Sequence, residues 1–174
     1  MKLMQTIHSF DVSLFLWVNR RKSQRLLVSA ARAISRTGDG PLYVVLALAL
    51  ALTGQPAEWN LLACLALGFA MERPVYFVLK NGCRRDRPPV ALNIPGFIIP
   101  SDRFSFPSGH TSAAFLVATL LASRHPALAP ALLAWAVLIG MARVVLGVHF
   151  PTDTLIGALL GSVLALISLE ILWQ

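Results

Sequence analysis

Charge is scarce in this sequence, and negative charge scarcer still. Only 13% of the 174 residues are charged, and 8 acidic residues face 15 basic ones for a formal charge of +7. With a mean hydropathy of +0.68, so thin a polar complement excludes an ordinary soluble domain, in which about a quarter of residues are charged. Too few carboxylates are present, and too scattered, for a magnesium cage. The two cysteines, Cys64 in an apolar run and Cys83 in a basic stretch, make neither a disulfide framework nor a zinc site. Both are read as structural. A secretory signal is not the expected reading of the first residues, because Asp11 interrupts the first apolar stretch and no small-residue cleavage pattern precedes Arg20-Arg21-Lys22. No internal repeat or low-complexity tract is present. The excess of positive charge has no soluble face to occupy, which points to anionic lipid or phosphate rather than nucleic acid.

What the chain has in quantity is apolar sequence, 56% of its residues. Leu42 to Leu52, bounded by Gly38 and Gly54, reads as a short membrane helix. A second run extends from about Ala57 through Leu79, with Glu72 and Arg73 inside it as a packed polar pair. Three more spans follow at Ser108 to Ser123, about Ala127 to Val148, and Pro151 to about Leu172, with Pro126 and Pro130 marking a turn. Between the second and third, Lys80 to Phe106 carries prolines at 88, 89, 95 and 100 and seven charges, the pattern of an extramembrane loop. Residues 5 to 19 are amphipathic and either cross the membrane or lie in its interface; the stretch from 20 to 36, with six basic residues, reads as an interfacial helix or hairpin. The expected fold is all-α, an integral-membrane six-helix bundle with an extramembrane catalytic loop. It forms a single domain over 1–174, in which 1–36 are amphipathic or interfacial and 37–172 form the catalytic bundle.

Counting crossings from the long loop brings three polar clusters to one membrane face, and polar groups so costly near lipid are retained for function. In the first, Lys80 and Arg87 are cations able to offset a phosphate and the charge that spreads over its oxygens during transfer. Arg84 and Arg85 are read as headgroup contacts and Asp86 as a charge partner for the arginines. In the second, Ser108 stands at a helix N-cap, Gly109 allows close backbone approach to a phosphate oxygen, and His110 is placed to protonate a leaving oxygen. In the third, Arg143 is a bidentate phosphate ligand, and Asp153 reaches back to fix the tautomer of His149 and raise the nucleophilicity of its other nitrogen.

Together, Lys80-x6-Arg87-Pro88, Pro107-Ser108-Gly109-His110 and Arg143-x5-His149-x3-Asp153 resemble the three-part signature of the type 2 phosphatidic acid phosphatase family. The resemblance covers roughly residues 37 to 172. It implies a six-helix membrane fold and a metal-independent, cofactor-free lipid phosphatase. His149 would be the nucleophile, Asp153 its orienter and His110 the proton donor, with Lys80, Arg87, Ser108, Gly109 and Arg143 holding the phosphoryl oxygens. A phosphohistidine would form and be hydrolysed. The implied substrate is a membrane lipid phosphate such as undecaprenyl diphosphate, phosphatidic acid or phosphatidylglycerol phosphate. The implied setting is a bacterial inner membrane with the site facing the periplasm. Ala142 departs from the pattern, which usually has Ser there, and tuned rather than absent activity is expected. Vanadium-dependent haloperoxidases share the constellation but are soluble. A lipid phosphotransferase and a non-catalytic phosphate-binding protein are the remaining rivals.

Overall fold

A computed structural model describes residues 2–20, 25–94, 97, 98, 100 and 102–172. Arg21 and Lys22 of the basic cluster and Pro95 of the long loop lie outside the described residues. In chain order the helices are α1 (Lys2–Asn19), α2 (Arg25–Arg36), α3 (Gly40–Leu52), α4 (Pro56–Cys83), the short α5 (Pro88–Ala91), α6 (Gly109–Arg124), α7 (Ala129–Val145), preceded by a 3-10 turn, and α8 (Pro151–Leu172). No strand occurs among the described residues; a lone bridge joins Asp86 to Phe104.

Three helical segments among the described residues, Pro56–Cys83, Pro126–Val145 and Pro151–Leu172, are long and apolar enough to cross a membrane. Gly40–Leu52 is a shorter apolar helix, and α6 has 16 residues. The count of six crossings therefore depends on α1, which is less apolar, and on α3 and α6, which are shorter.

α6 is the central helix, packed most extensively on α8 and then on α7 and α4. The main apolar core joins α4, α6 and α8 through Leu61, Cys64, Leu116, Leu120 and Ala165. Outward faces carry Leu48, Phe77, Val78, Leu155, Leu159 and Leu166, all exposed. Apolar side chains that find neither a core nor water belong against lipid. Cys64 is buried and Cys83 exposed, both free.

Proline and glycine place most helix ends where expected. Pro56 and Pro151 begin α4 and α8, a position that needs no amide hydrogen, and Gly54 after α3 adopts φ +67. One boundary differs. Lys80 does not open the loop; α4 continues through Cys83 and stops at Arg84, which takes the left-handed conformation at φ 47. The prolines and charges that begin at Lys80 pointed to an earlier break. The helix persists because the Lys80 ammonium has partners on its own face of α4, Tyr76 among them.

Candidate active site

The turn between α7 and α8 aims the first functional ring. Gly147 at φ +76 reverses the chain, a conformation a side chain would strain, while Val148 N–H returns to the Arg143 carbonyl. His149 follows, 2% exposed. Its Nδ1 donates to the Ser105 carbonyl at 2.7 Å, and Asp153 Oδ2 stands 3.8 Å away. A loop carbonyl makes the shorter bond to the ring, and Asp153, the expected orienter, stands beside the same nitrogen as a negative charge. With the proton on Nδ1, Nε2 keeps its lone pair, and it lies 3.4 Å from Nη1 of Arg87. Asp153 Oδ2 instead accepts the Phe150 N–H at 2.8 Å, satisfying a free amide at the start of α8.

Arg87 is anchored twice by backbone, with Nη1 donating to Val148 O at 2.7 Å and Nε to Asp102 O at 3.0 Å. Its Nη2 pairs with the Asp102 carboxylate. Lys80 reaches the other oxygen of Asp102 at 2.8 Å, and the Tyr76 hydroxyl donates to the same atom at 3.0 Å. Burial would raise the Asp102 carboxyl, but the hydrogen bonds and charges of Lys80 and Arg87 outweigh it and hold it at about 2. Arg143 donates to Ser35 Oγ at 3.0 Å, and its buried Nε has no partner among the described residues.

α6 supplies the second ring. Ser108 occupies the N-cap position, yet its hydroxyl contacts Thr111 Oγ1 at 2.9 Å rather than a helix amide. Its own N–H donates to the Asp153 carbonyl at 3.0 Å, tying the starts of α6 and α8 together. A Cβ on Gly109 would meet the Tyr76 ring at 3.0 Å, so a larger residue there would press the ring back by a few tenths of an ångström. His110 Nε2 donates to Asp39 Oδ1 at 3.0 Å.

Arg87, Gly109, His110, Arg143 and His149 line one cavity of about 590 Å³. Lys80, Ser108 and Asp153 stand directly behind its wall, held to Asp102, Thr111 and Arg85 respectively. Among the described residues, no three His, Cys, Asp or Glu side chains converge as metal ligands.

Sequence reasoning missed four members of this network. Arg85, read as a headgroup contact, pairs with Asp153 Oδ1 at 2.8 Å and with Asp11 Oδ2 at 2.5 Å. Asp11 is fully buried and also accepts the Thr152 N–H at 3.0 Å, docking α1 onto the start of α8. Asp39 holds His110, and Asp102 bridges the two cations. Asp86, expected to serve the arginines, is exposed and forms no ion pair among the described residues. A lone aspartate in a helix or loop carries no spacing signal, so only Asp11, as a charge in an apolar stretch, was conspicuous.

The chain is similar to proteins of known activity. The decaprenylphosphoryl-5-phosphoribose phosphatase of Mycolicibacterium smegmatis is 37% identical over 135 residues, covering 75% of this chain and 71% of that protein. A putative undecaprenyl-diphosphatase of Escherichia coli is 34% identical over 131 residues, 75% of this chain and 66% of that protein, just under two thirds of its length. The crystal structure of Aquifex aeolicus LpxE superposes with a TM-score of 0.83 at 30% identity, covering 91% of this chain and 94% of that one. The family model described as the PAP2 superfamily matches residues 57–174. That match takes in all three polar clusters around the cavity, and the chain belongs to the PAP2 superfamily.

Proposed function

We propose that this integral-membrane protein hydrolyses the terminal phosphate of a membrane lipid, a phosphomonoester or diphosphate, through a phosphohistidine on His149. One observation carries the reading: two imidazoles and two arginines from α5's N-terminal end, α6, α7 and the α7–α8 turn line a single cavity at one end of an apolar helix bundle. Its similarity to a decaprenylphosphoryl-5-phosphoribose phosphatase and to the undecaprenyl-diphosphatase homologue of Escherichia coli supports it.

Phosphate oxygens compete with the Asp102 carboxylate for Lys80 and Arg87, while Arg143 Nε and the Gly109 N–H take the remaining oxygens. His149 Nε2 attacks phosphorus in line; the N–P bond forms as the P–O bond to the leaving group breaks. The bonding pair stays on the departing oxygen, which receives a proton from His110. His110, now neutral, accepts a proton from water as that water attacks phosphorus, the N–P bond breaks, and inorganic phosphate leaves with His149 restored. Asp153 stabilises the charge on the His149 ring during both steps, and Asp39 positions His110. Three cations and helix-end amides supply electrostatic stabilisation without a metal ion.

In this reading residues 37–172 form the catalytic bundle, residues 1–36 lie at the membrane interface around its mouth, and the site faces the outside of a bacterial inner membrane. Substrate reaches it by lateral diffusion, with its phosphate at headgroup level. Purified protein in detergent with excess EDTA is expected to release inorganic phosphate from undecaprenyl diphosphate, phosphatidic acid or phosphatidylglycerol phosphate, and His149→Ala to lower the rate at least about 1,000-fold. Release restored only by added divalent metal would sink the metal-free mechanism, and a fully active His149→Ala the nucleophile.

A further inference from the structure

Arg73 is a cation of the catalytic cavity that those steps leave unused. It lies on α4 seven residues before Lys80, which at 1.5 Å per residue sets its backbone about 10 Å deeper in the bundle. The side chain lines the same cavity as Arg87, Arg143 and His149. Two contacts fix its orientation: Nε donates to the fully buried Glu72 carboxylate, and the guanidinium sits 4.8 Å over the Tyr76 ring. Nη2 is buried with no partner among the described residues. A donor withheld from water without an acceptor is costly, and the residue that carries it borders a space large enough for a ligand to bring one.

Below Arg73 the lining turns apolar. Tyr43 and Phe69, with ring centroids 5.7 Å apart, border both the catalytic cavity and a second cavity of about 430 Å³ between α3 and α4. That second space runs past Leu46, Leu62 and Leu65 to Trp59. The Tyr43 hydroxyl, on a residue shared by both cavities, is buried and has no partner among the described residues. Followed along α4, the wall is therefore hydrocarbon from Trp59 to Phe69, then a fixed guanidinium at Arg73, then Tyr76 and the transfer site. This order matches a lipid with a tail, an inner phosphate and a terminal phosphate.

Building on the phosphatase reading, we infer that Arg73, with the Tyr43 hydroxyl, binds the inner phosphate of a lipid carrying two, while the tail lies between α3 and α4. The shared chemistry is a second phosphate on the tail side of the one attacked. It can be joined directly, as in a prenyl diphosphate, or through a short polyol, as in phosphatidylglycerol phosphate. A lipid with a single phosphate gives Arg73 no anion.

The experiment compares kcat/KM within two pairs of lipids in detergent: farnesyl diphosphate against farnesyl monophosphate, and phosphatidylglycerol phosphate against phosphatidic acid. Arg73→Gln alone strands the Glu72 charge, so the variant of choice is the double Glu72→Gln/Arg73→Gln, with Arg73→Lys and Tyr43→Phe beside it. The double variant is expected to lower the two-phosphate to one-phosphate ratio about tenfold, chiefly through KM, and Arg73→Lys about threefold, because a lysine keeps the charge but loses the fork. A drop in the first pair alone identifies a diphosphate, and in the second alone a polyol-spaced headgroup. Ratios that stay within about twofold in both pairs overturn the inference, since a purely structural Arg73 would depress both members alike. Should the double variant not fold, the ratios of Arg73→Lys decide in the same way. If the unsubstituted protein releases phosphate from none of the four lipids, the phosphatase reading itself has failed, which is a separate outcome from unchanged ratios.

Discussion

His149 is enclosed on all sides, and burial pushes its imidazole down to about 4; the Asp153 carboxylate pulls the other way, and the Arg143 and Arg87 guanidiniums add to the depression. The ring therefore stays neutral, with a free lone pair, throughout the working pH range. In the unfolded chain the ring returns to its ordinary value of about 6.5. Below that pH the unfolded state takes up a proton that the folded state refuses. Stability from this group is complete above pH 6.5, falls as the pH drops to about 4, and is level below, a loss of at most about 3 kcal/mol. Thermal unfolding in detergent from pH 7 to 4 should show a steeper decline for the native protein than for His149→Asn; parallel curves would contradict a neutral buried ring. The identity of this histidine was readable from Arg143-x5-His149-x3-Asp153. Its Ser105 hydrogen bond was not, because Ser105 is 44 residues away and bonds through its backbone carbonyl, which any residue offers.

Helices α6 and α8 approach closely enough to bring the two imidazole-bearing ends together, and glycine permits it. A Cβ on Gly161 would lie 2.0 Å from the Ser112 carbonyl oxygen, and one on Gly157 2.6 Å from that of Ser108. Small residues four apart let two helix backbones touch. Gly161→Ala should force the helices apart at a cost of about 1–3 kcal/mol, lowering Tm by about 4–10 °C, and should reduce phosphate release by displacing Ser108 and Gly109 from His149. An unchanged Tm with full activity would mean the contact relaxes freely. Apolar runs and proline placed α3, α6 and α8 within a few residues. They misplaced the end of α4, which runs past Lys80 to a left-handed cap at Arg84. They also passed over the Gly157–Gly161 contact, since glycine in a helix reads as tolerance until a neighbouring backbone is seen against it.

At the scale of the whole molecule, the site and the chain's exposed thiol share one end. Cys83 closes α4 on that side and is exposed, whereas Cys64 is buried in the core. If the cavity opens outward, a membrane-impermeant maleimide should label Cys83 in intact cells producing the protein, and Cys83→Ser should abolish the signal. Labelling only after permeabilisation would turn the site to the cytoplasm. By itself the sequence determined the helical class, the affinity for lipid and which two imidazoles and two arginines of its motifs line the cavity, because hydrophobic runs and signature spacing are local properties of the chain. Only the tertiary structure decided which charges answer one another. Arg85 meets Asp11 and Asp153 across 74 and 68 residues, Asp102 joins Lys80 to Arg87, and Asp39 holds His110. Coulombic attraction depends on distance in space, and no spacing along the chain specifies that until the helices have packed.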